Sequence, residues 1–527
     1  MRRRIARSVV VFAAALLSIA VLTGALLVTR GQAARRFSQT PSRRAGIVRS
    51  GLVKGRSTFI RLKRVVDAAT LPAATTGPPT NVEPQESVPV TGPPRIVGVI
   101  PLVQKRLQGA PEARASSLTR VSVAGLANSG KLPPDTQLAV SSKRVVEFVN
   151  DSAEVLDHAG TVLGSFDLGT LFSGTAGTGS DPKIVFDAAS GDFYAAYISK
   201  VTSHDGPSEI DLAATNNPQG NWSIYTVHSE SILQDQPKLG VSSDKLTISW
   251  NDNGNSGPEE YMVIQKAGVA ANHSTVAATI WGPDSTRLNL IPADQLSASK
   301  TAFAVFHNYN TSKVGVLSFT GVPGISPVSF TESDVSVAKT SAPPSAVQPP
   351  SGGSASPTLD TGDDRLESAA WLGGVLWTAG NDVCKFRTDK KKRACLRVIK
   401  IATAKMSLVR DVDITMVGGD VMYPAVMLDA RKDFWVGFSS SSISQFASSE
   451  VAEAPGGTIG SSIGATIYGP GTGSANYLSC TSPPVKRFGD YSGAAIDPAR
   501  ENLGIWTATE FGAAGCAWGT QLGSFTP

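Results

Sequence analysis

Two arginines, one tyrosine and a few carboxylates have the types and spacing that chemistry would need. Arg487 precedes Asp490 and Tyr491 by one short turn, and Arg365 directly follows Asp363 and Asp364. Cleaving a glycoside that carries an acid group asks for an arginine cluster to hold a carboxylate, a nucleophile and acidic partners. By residue type, Arg365 and Arg487 are the ligand-binding candidates. Tyr491, Asp490, Glu510 and Asp135 are the candidates for catalysis. Each is common alone, so they make a site only if the fold brings distant segments to one pocket.

Other clusters suggest simpler roles. Asn251-Asp252-Asn253-Gly254-Asn255, followed by Glu259 and Glu260, is an oxygen-rich loop whose Asp252, Asn253 and Asn255 match Ca²⁺ in ligand type. It lacks EF-hand spacing, and a plain turn explains it as well, so no cofactor is expected. The five histidines are scattered, with no His-Glu-x-x-His. No nucleophile elbow, P-loop or dinucleotide fingerprint occurs. Cys384 and Cys395 flank a basic turn, and Cys480 and Cys516 flank the last strand-rich unit. Neither spacing is that of a zinc site, so the expected disulfides are Cys384–Cys395 and Cys480–Cys516, one of three connectivities.

The elements that must position these residues are short strands. Lys245-Leu246-Thr247-Ile248-Ser249-Trp250 alternates polar and apolar, the mark of a half-buried strand. An internal repeat runs through the chain. Asp181 to Tyr194, Tyr423 to Trp435 and Tyr491 to Trp506 each read as a small-residue strand ending in an apolar residue and Asp (Asp187, Asp429, Asp497), a polar turn, then an aromatic-rich strand. Shorter versions begin at Asp135, Asp235 and Asp364, and a degenerate one runs from Thr286 to Phe319. Starts about 40–80 residues apart fit propeller blades with insertions. The expected fold is therefore all-β, a β-propeller with seven blades preferred to six. Asp135, Asp181, Asp235, Asp364 and Asp490 open successive units. A residue repeated in this way usually serves the repeat by capping a turn or bonding the next blade.

Arg487-Phe488-Gly489-Asp490-Tyr491-Ser492-Gly493 resembles a stretch of secreted bacterial β-propellers of the sialidase-like (BNR-repeat) type. Pro133-Pro134-Asp135-Thr136, Asp235 to Val241, Leu359 to Leu366 and Trp518-Gly519-Thr520 fit the same likeness, which spans Pro133 to Pro527. The resemblance implies a propeller and leaves activity open. True sialidases carry a Phe-Arg-Ile-Pro motif and intact Asp boxes, and this sequence has neither.

The N-terminus reads differently. Arg2, Arg3, Arg4 and Arg7 precede an apolar run from Val9 to Val28. That is long enough to span a bilayer as a helix, so residues 1–30 are expected to be a signal anchor or a signal peptide cleaved before Ala34. Residues 31–95, basic and then rich in Pro, Thr and Ala, are expected to be a flexible linker. Residues 96–527 would be the propeller with its lead-in. Fifteen of the 48 Lys and Arg precede Asp67, where no acidic residue occurs, leaving 33 basic against 43 acidic residues in the remainder. The folded part is thus acidic, which speaks against nucleic acid as a partner. The expected protein is extracytoplasmic, membrane-anchored or secreted. It would bind a glycan or a protein partner without catalysis. A sialidase-like glycoside hydrolase and an architectural protein of the cell envelope are the alternatives.

Overall fold

The computed structural model describes residues 47–48, 51–74, 76–82, 92–106, 119–200, 206–229, 231–254, 257–350, 357–479 and 486–527. The apolar run Val9–Val28 and Cys480 lie outside these residues. Among the described residues no helix is long and apolar enough to cross a membrane.

Six antiparallel four-strand meanders, and a seventh of three strands completed by an N-terminal strand, follow one another from residue 137 onward among the described residues. Their first strands are Gln137–Val140, Ser180–Asp187, Gln234–Val241, Ile291–Pro292, Leu366–Leu372, Gly419–Leu428 and Gly493–Ile496. These strands neighbour one another in order, and the seventh returns to the first, so the series is closed. That is the arrangement of a β-propeller, with the first strand of each sheet innermost. Small residues permit the crowding at the axis. A Cβ on Gly493 would stand 2.6 Å from the backbone nitrogen of Leu138, where the seventh sheet meets the first.

The sheets pack face to face through apolar layers. Trp222, Trp250, Trp377, Trp435, Trp506 and Trp518 are all fully buried. Trp377 of the fifth sheet stacks on Phe434 of the sixth, ring centroids 4.2 Å apart. The repeated aspartates close the first hairpin of three units. Asp429 accepts from the amides of Arg431 and Asp433, and Asp497 from that of Ala499. The indole N–H of Trp506 donates to Asp497 at 3.1 Å, and Asp187 accepts from the amides of Ala189 and Ser190. The sequence pattern thus records a hydrogen-bonded corner.

The outer strand of each meander is an exposed edge, which folded proteins must cover. The N-terminal region does this. Thr119–Ala127 pairs with Trp518–Phe525 and supplies the fourth strand of the seventh sheet. Val99–Arg106 lies parallel to the outer strands of the fifth and sixth. Arg56–Asp67 pairs antiparallel with the outer strands of both the second and the third. This last strand corrects the linker reading for residues 56–67. Its length of paired backbone binds it to the ring, although its outer face stays exposed. The disulfide Cys384–Cys395 joins the second and third strands of the fifth sheet, with Cα atoms 5.9 Å apart. The second expected pair includes Cys480 and so falls outside the described residues.

Candidate functional site at the acidic mouth

The first strands begin with a shared distortion. Asp135, Asp181, Gln236, Asn289 and Tyr423 have φ between 50 and 56°, the left-handed region. The ladder slips at the same places, between Ser180 and Lys183, Asp235 and Lys238, and Met422 and Ala425. Such bulges turn an amide off the ladder. Buried side chains catch it. The amide of Asp181 donates to Asn150 Oδ1 at 2.7 Å, Gln236 to Asp181 Oδ2 at 3.1 Å, Asn289 to Glu259 Oε2 at 3.0 Å, and Tyr423 to Asn381 Oδ1 at 3.0 Å. In these four cases the acceptor belongs to the preceding sheet, so the distortion ties one blade to the next. Gly489 repeats the theme with φ 64°, donating to Glu510 Oε2 at 2.6 Å. Its lack of a side chain also matters, because a Cβ there would stand 2.4 Å from the Tyr423 ring.

These bulges gather charged groups at one end of the channel. Lys238 donates to the Tyr491 hydroxyl at 2.8 Å, with its ammonium 4.7 Å from that ring's centroid. Burial lowers Lys238 to about 8, against the pull of Asp181, Glu259 and Asp235. Arg487 holds Asp490 in a fork of 2.5 and 2.6 Å, and Asp360 lies 3.9 Å away. Arg365 pairs with Asp363 at 2.6 Å and lies over the Tyr309 ring. Burial raises Asp235 to about 7, helped by neighbouring Asp181, and raises Asp490 to about 6. Glu259 and Glu510 are pushed up to about 8, again chiefly by burial. Glu367 is raised well above the ordinary carboxyl value by burial and by Asp363 and Asp490. The mouth is therefore rich in carboxyls that hold protons near neutral pH.

The structure brings Arg487, Asp490, Glu510, Tyr491 and Arg365 to this end. Glu510 is buried and accepts from the Tyr477 hydroxyl at 3.1 Å. Asp135 stands at the equivalent strand start and accepts from Asn150 Nδ2 at 3.0 Å, in the seam between the first and second sheets. The Ca²⁺ candidates part company too. Asn253 is a left-handed turn residue with φ 60°, and Asn255 lies outside the described residues. Glu259 accepts from the side chain of Asn251, the first residue of that loop, and from the amides of Asn289 and Leu290, while Glu260 pairs with His228 at 3.1 Å. Among the described residues no group of three or more His, Cys, Asp or Glu is placed to hold a metal ion.

Lys238, Glu367 and Tyr423 belong to the mouth but do not stand out among the sequence candidates. Lys238 had a signal, since Asp181-Pro182-Lys183 and Gln236-Pro237-Lys238 repeat a Pro-Lys step just after the bulge. Glu367 and Tyr423 had none. Oε2 of Glu367 and the Tyr423 hydroxyl are buried without a hydrogen-bond partner. They flank Gly362, whose Cβ position is 3.8 Å from Glu367 Oε1 and 3.3 Å from Tyr423 Cε1.

No family model matches the chain, and no curated protein matches it in sequence. Solved structures that it resembles include an alpha-L-arabinanase of Penicillium chrysogenum complexed with arabinobiose, at 12% identity over 66% of this chain and 100% of that one, TM-score 0.37. The NanB sialidase of Streptococcus pneumoniae is 11% identical over 58% of this chain and 65% of its own, TM-score 0.32. A Hadza microbial sialidase is 9% identical over 92% and 95%, TM-score 0.35. Likenesses at this level carry no activity to this chain.

Proposed function

We propose that this protein is a seven-bladed β-propeller, displayed outside the cytoplasm, that binds a hydroxyl-rich glycan at its acidic mouth without cleaving it. The observation that carries this reading is the pair of leftover polar atoms there, Glu367 Oε2 and the Tyr423 hydroxyl. A buried polar atom without a partner is costly, and sugar hydroxyls supply both donors and acceptors. The seven closed meanders support the blade count. Export draws support from the Arg-led apolar run and the disulfide, which persists in oxidising compartments. The lack of turnover rests on the arginines. Arg365 and Arg487 are already neutralised by Asp363 and Asp490, so neither offers an open clamp for a substrate carboxylate.

One observation favours the hydrolase alternative. Lys238, lowered to about 8, hydrogen-bonds the Tyr491 hydroxyl, as a base beside a nucleophile would. Both readings meet in one experiment, the full chain on a glycan array beside a panel of fluorogenic glycosides. Binding without turnover is expected. Turnover that disappears in Tyr491→Phe would replace this reading with the hydrolase, and silence in both assays would point to a protein partner in the envelope. N-terminal sequencing of the exported protein separates the two anchoring modes, because a start at Ala34 excludes a membrane anchor.

A further inference from the structure

The late residues of the first strands line the other end of the channel, and there the wall opens into a cavity of about 270 Å³. Its origin is a break in the fourth meander. Ile291–Pro292 pairs with Val305 and Ala304 of its own sheet, whereas Asp294 and Gln295 cross over and pair in parallel with Ala370 and Trp371 of the fifth. The innermost strand of the fourth sheet thus stops short. Val140, Phe186, Val241, Met427 and Ile496, from five other sheets, supply an apolar wall.

Besides Oδ1 of Asn502, one polar atom in that wall is buried with no hydrogen-bond partner: Oδ1 of Asp294. The backbone beside it is fixed, with the amide of Ala293 on Phe303 O and that of Leu296 on Trp371 O, both at 2.9 Å. The other carboxylate of this wall, Asp187, is taken up by Lys266 at 2.6 Å and by its own turn. The cavity thus combines a largely apolar wall with two unanswered acceptors, both oxygens. Its size is ample for a small guest, since an apolar cavity of roughly 150 Å³ already accepts benzene.

We infer that this end of the channel binds a neutral, mostly aliphatic alcohol, whose hydroxyl donates to Asp294 Oδ1 while its chain lies against Phe186, Met427 and Ile496. The head must be a donor, because both open atoms are acceptor oxygens. A carboxylate guest would be repelled. An ammonium guest gains little, because the Lys183 charge already acts on Asp294. The acidic mouth plays no part, so this site stands or falls apart from glycan binding.

The test uses the full chain labelled with ¹³C at its methionine methyls, of which there are six. The Met427 signal is assigned with Met427→Leu, and the probes are 1-octanol, octanoate and octylamine. Octanol is expected to shift the Met427 signal saturably, with the other two binding about tenfold more weakly or worse. Asp294→Asn should weaken octanol about fivefold, since a neutral amide oxygen accepts less strongly than a carboxylate. Ala188→Trp, a change at an exposed rim position of the cavity, should block entry and leave the far-ultraviolet circular dichroism unchanged. No shift, an equal response to all three probes, or octanol binding that survives both substitutions overturns the proposal.

Discussion

The same seven strands end in two unlike chemistries. Where they begin, bulged backbone and buried side chains hold a dense set of charges, nearly all of them answered from within the protein. Where they finish, the lining is largely apolar and two oxygens, of Asp294 and Asn502, are left over. A bulge exposes an amide that needs an acceptor, so the starts attract Asp, Asn and Glu, and those in turn attract Lys238, Arg365 and Arg487. A hairpin end satisfies its own amides through the corner aspartates, so the neighbouring positions are free to be apolar. Polarity in this channel therefore follows backbone geometry.

That contrast predicts where substitution hurts. Arg487→Ala would leave Asp490 and Asp360 facing each other without their cation in a buried setting. Losing one partner of a buried pair costs about 3–5 kcal/mol, so the urea midpoint should fall sharply. The matched change at the apolar end, Met427→Leu, conserves volume and should cost less than about 1.5 kcal/mol. Equal losses would show that the two ends are not built differently.

Within the acidic mouth the next largest effect is Tyr477→Phe. Its hydroxyl donates to buried Glu510 at 3.1 Å. A hydrogen bond to such a group contributes about 1.5 kcal/mol, and urea denaturation should show a loss of that size.

How much of this was legible depended on distance along the chain. The corner aspartates were legible because Asp497 and Trp506 meet within one hairpin. The arginine–aspartate unit at 487–490 was legible for the same reason. The fourth meander was nearly illegible, because its innermost strand gives half its pairing to another sheet. Arg56–Asp67 read as linker because only Ile60 is fully buried, and one such residue makes no pattern. Lys238 gains its meaning from Tyr491, which lies 253 residues away. No local rule finds such a pair, since only closure of the ring brings it together.

Protonation offers a smaller test. Burial pushes Glu510 up to about 8 from its ordinary 4.5. A carboxyl raised on folding gives its full stabilisation below the unfolded value and loses it as pH rises through the folded one. Glu510→Gln cannot lose that proton. It should cost about 1 kcal/mol at pH 5, where its amide meets the Gly489 or Tyr477 donor, and less at pH 9, where the wild type must bury a charge. A difference that stays constant between these two pH values would mean that Glu510 does not titrate there, and that the mouth holds fewer protons than its burial implies.

The finest distinction is between two tyrosines of one mouth. Tyr477 has its hydroxyl engaged, whereas that of Tyr423 has no partner despite only 2% exposure. Burial and the charges of Asp360 and Asp490 hold the Tyr423 phenol well above its ordinary value, so it stays neutral. Removing an unanswered buried hydroxyl takes away a desolvation cost along with a few contacts. Tyr423→Phe should therefore leave stability within about 0.5 kcal/mol of the wild type. If that hydroxyl is kept for a ligand, the same variant should bind its best array glycan about tenfold more weakly, near the value of one hydrogen bond. Stability lost with binding kept would make Tyr423 a structural residue like Tyr477. Glu367 Oε2 would then be the one leftover atom of that pair on which the glycan reading of the mouth rests.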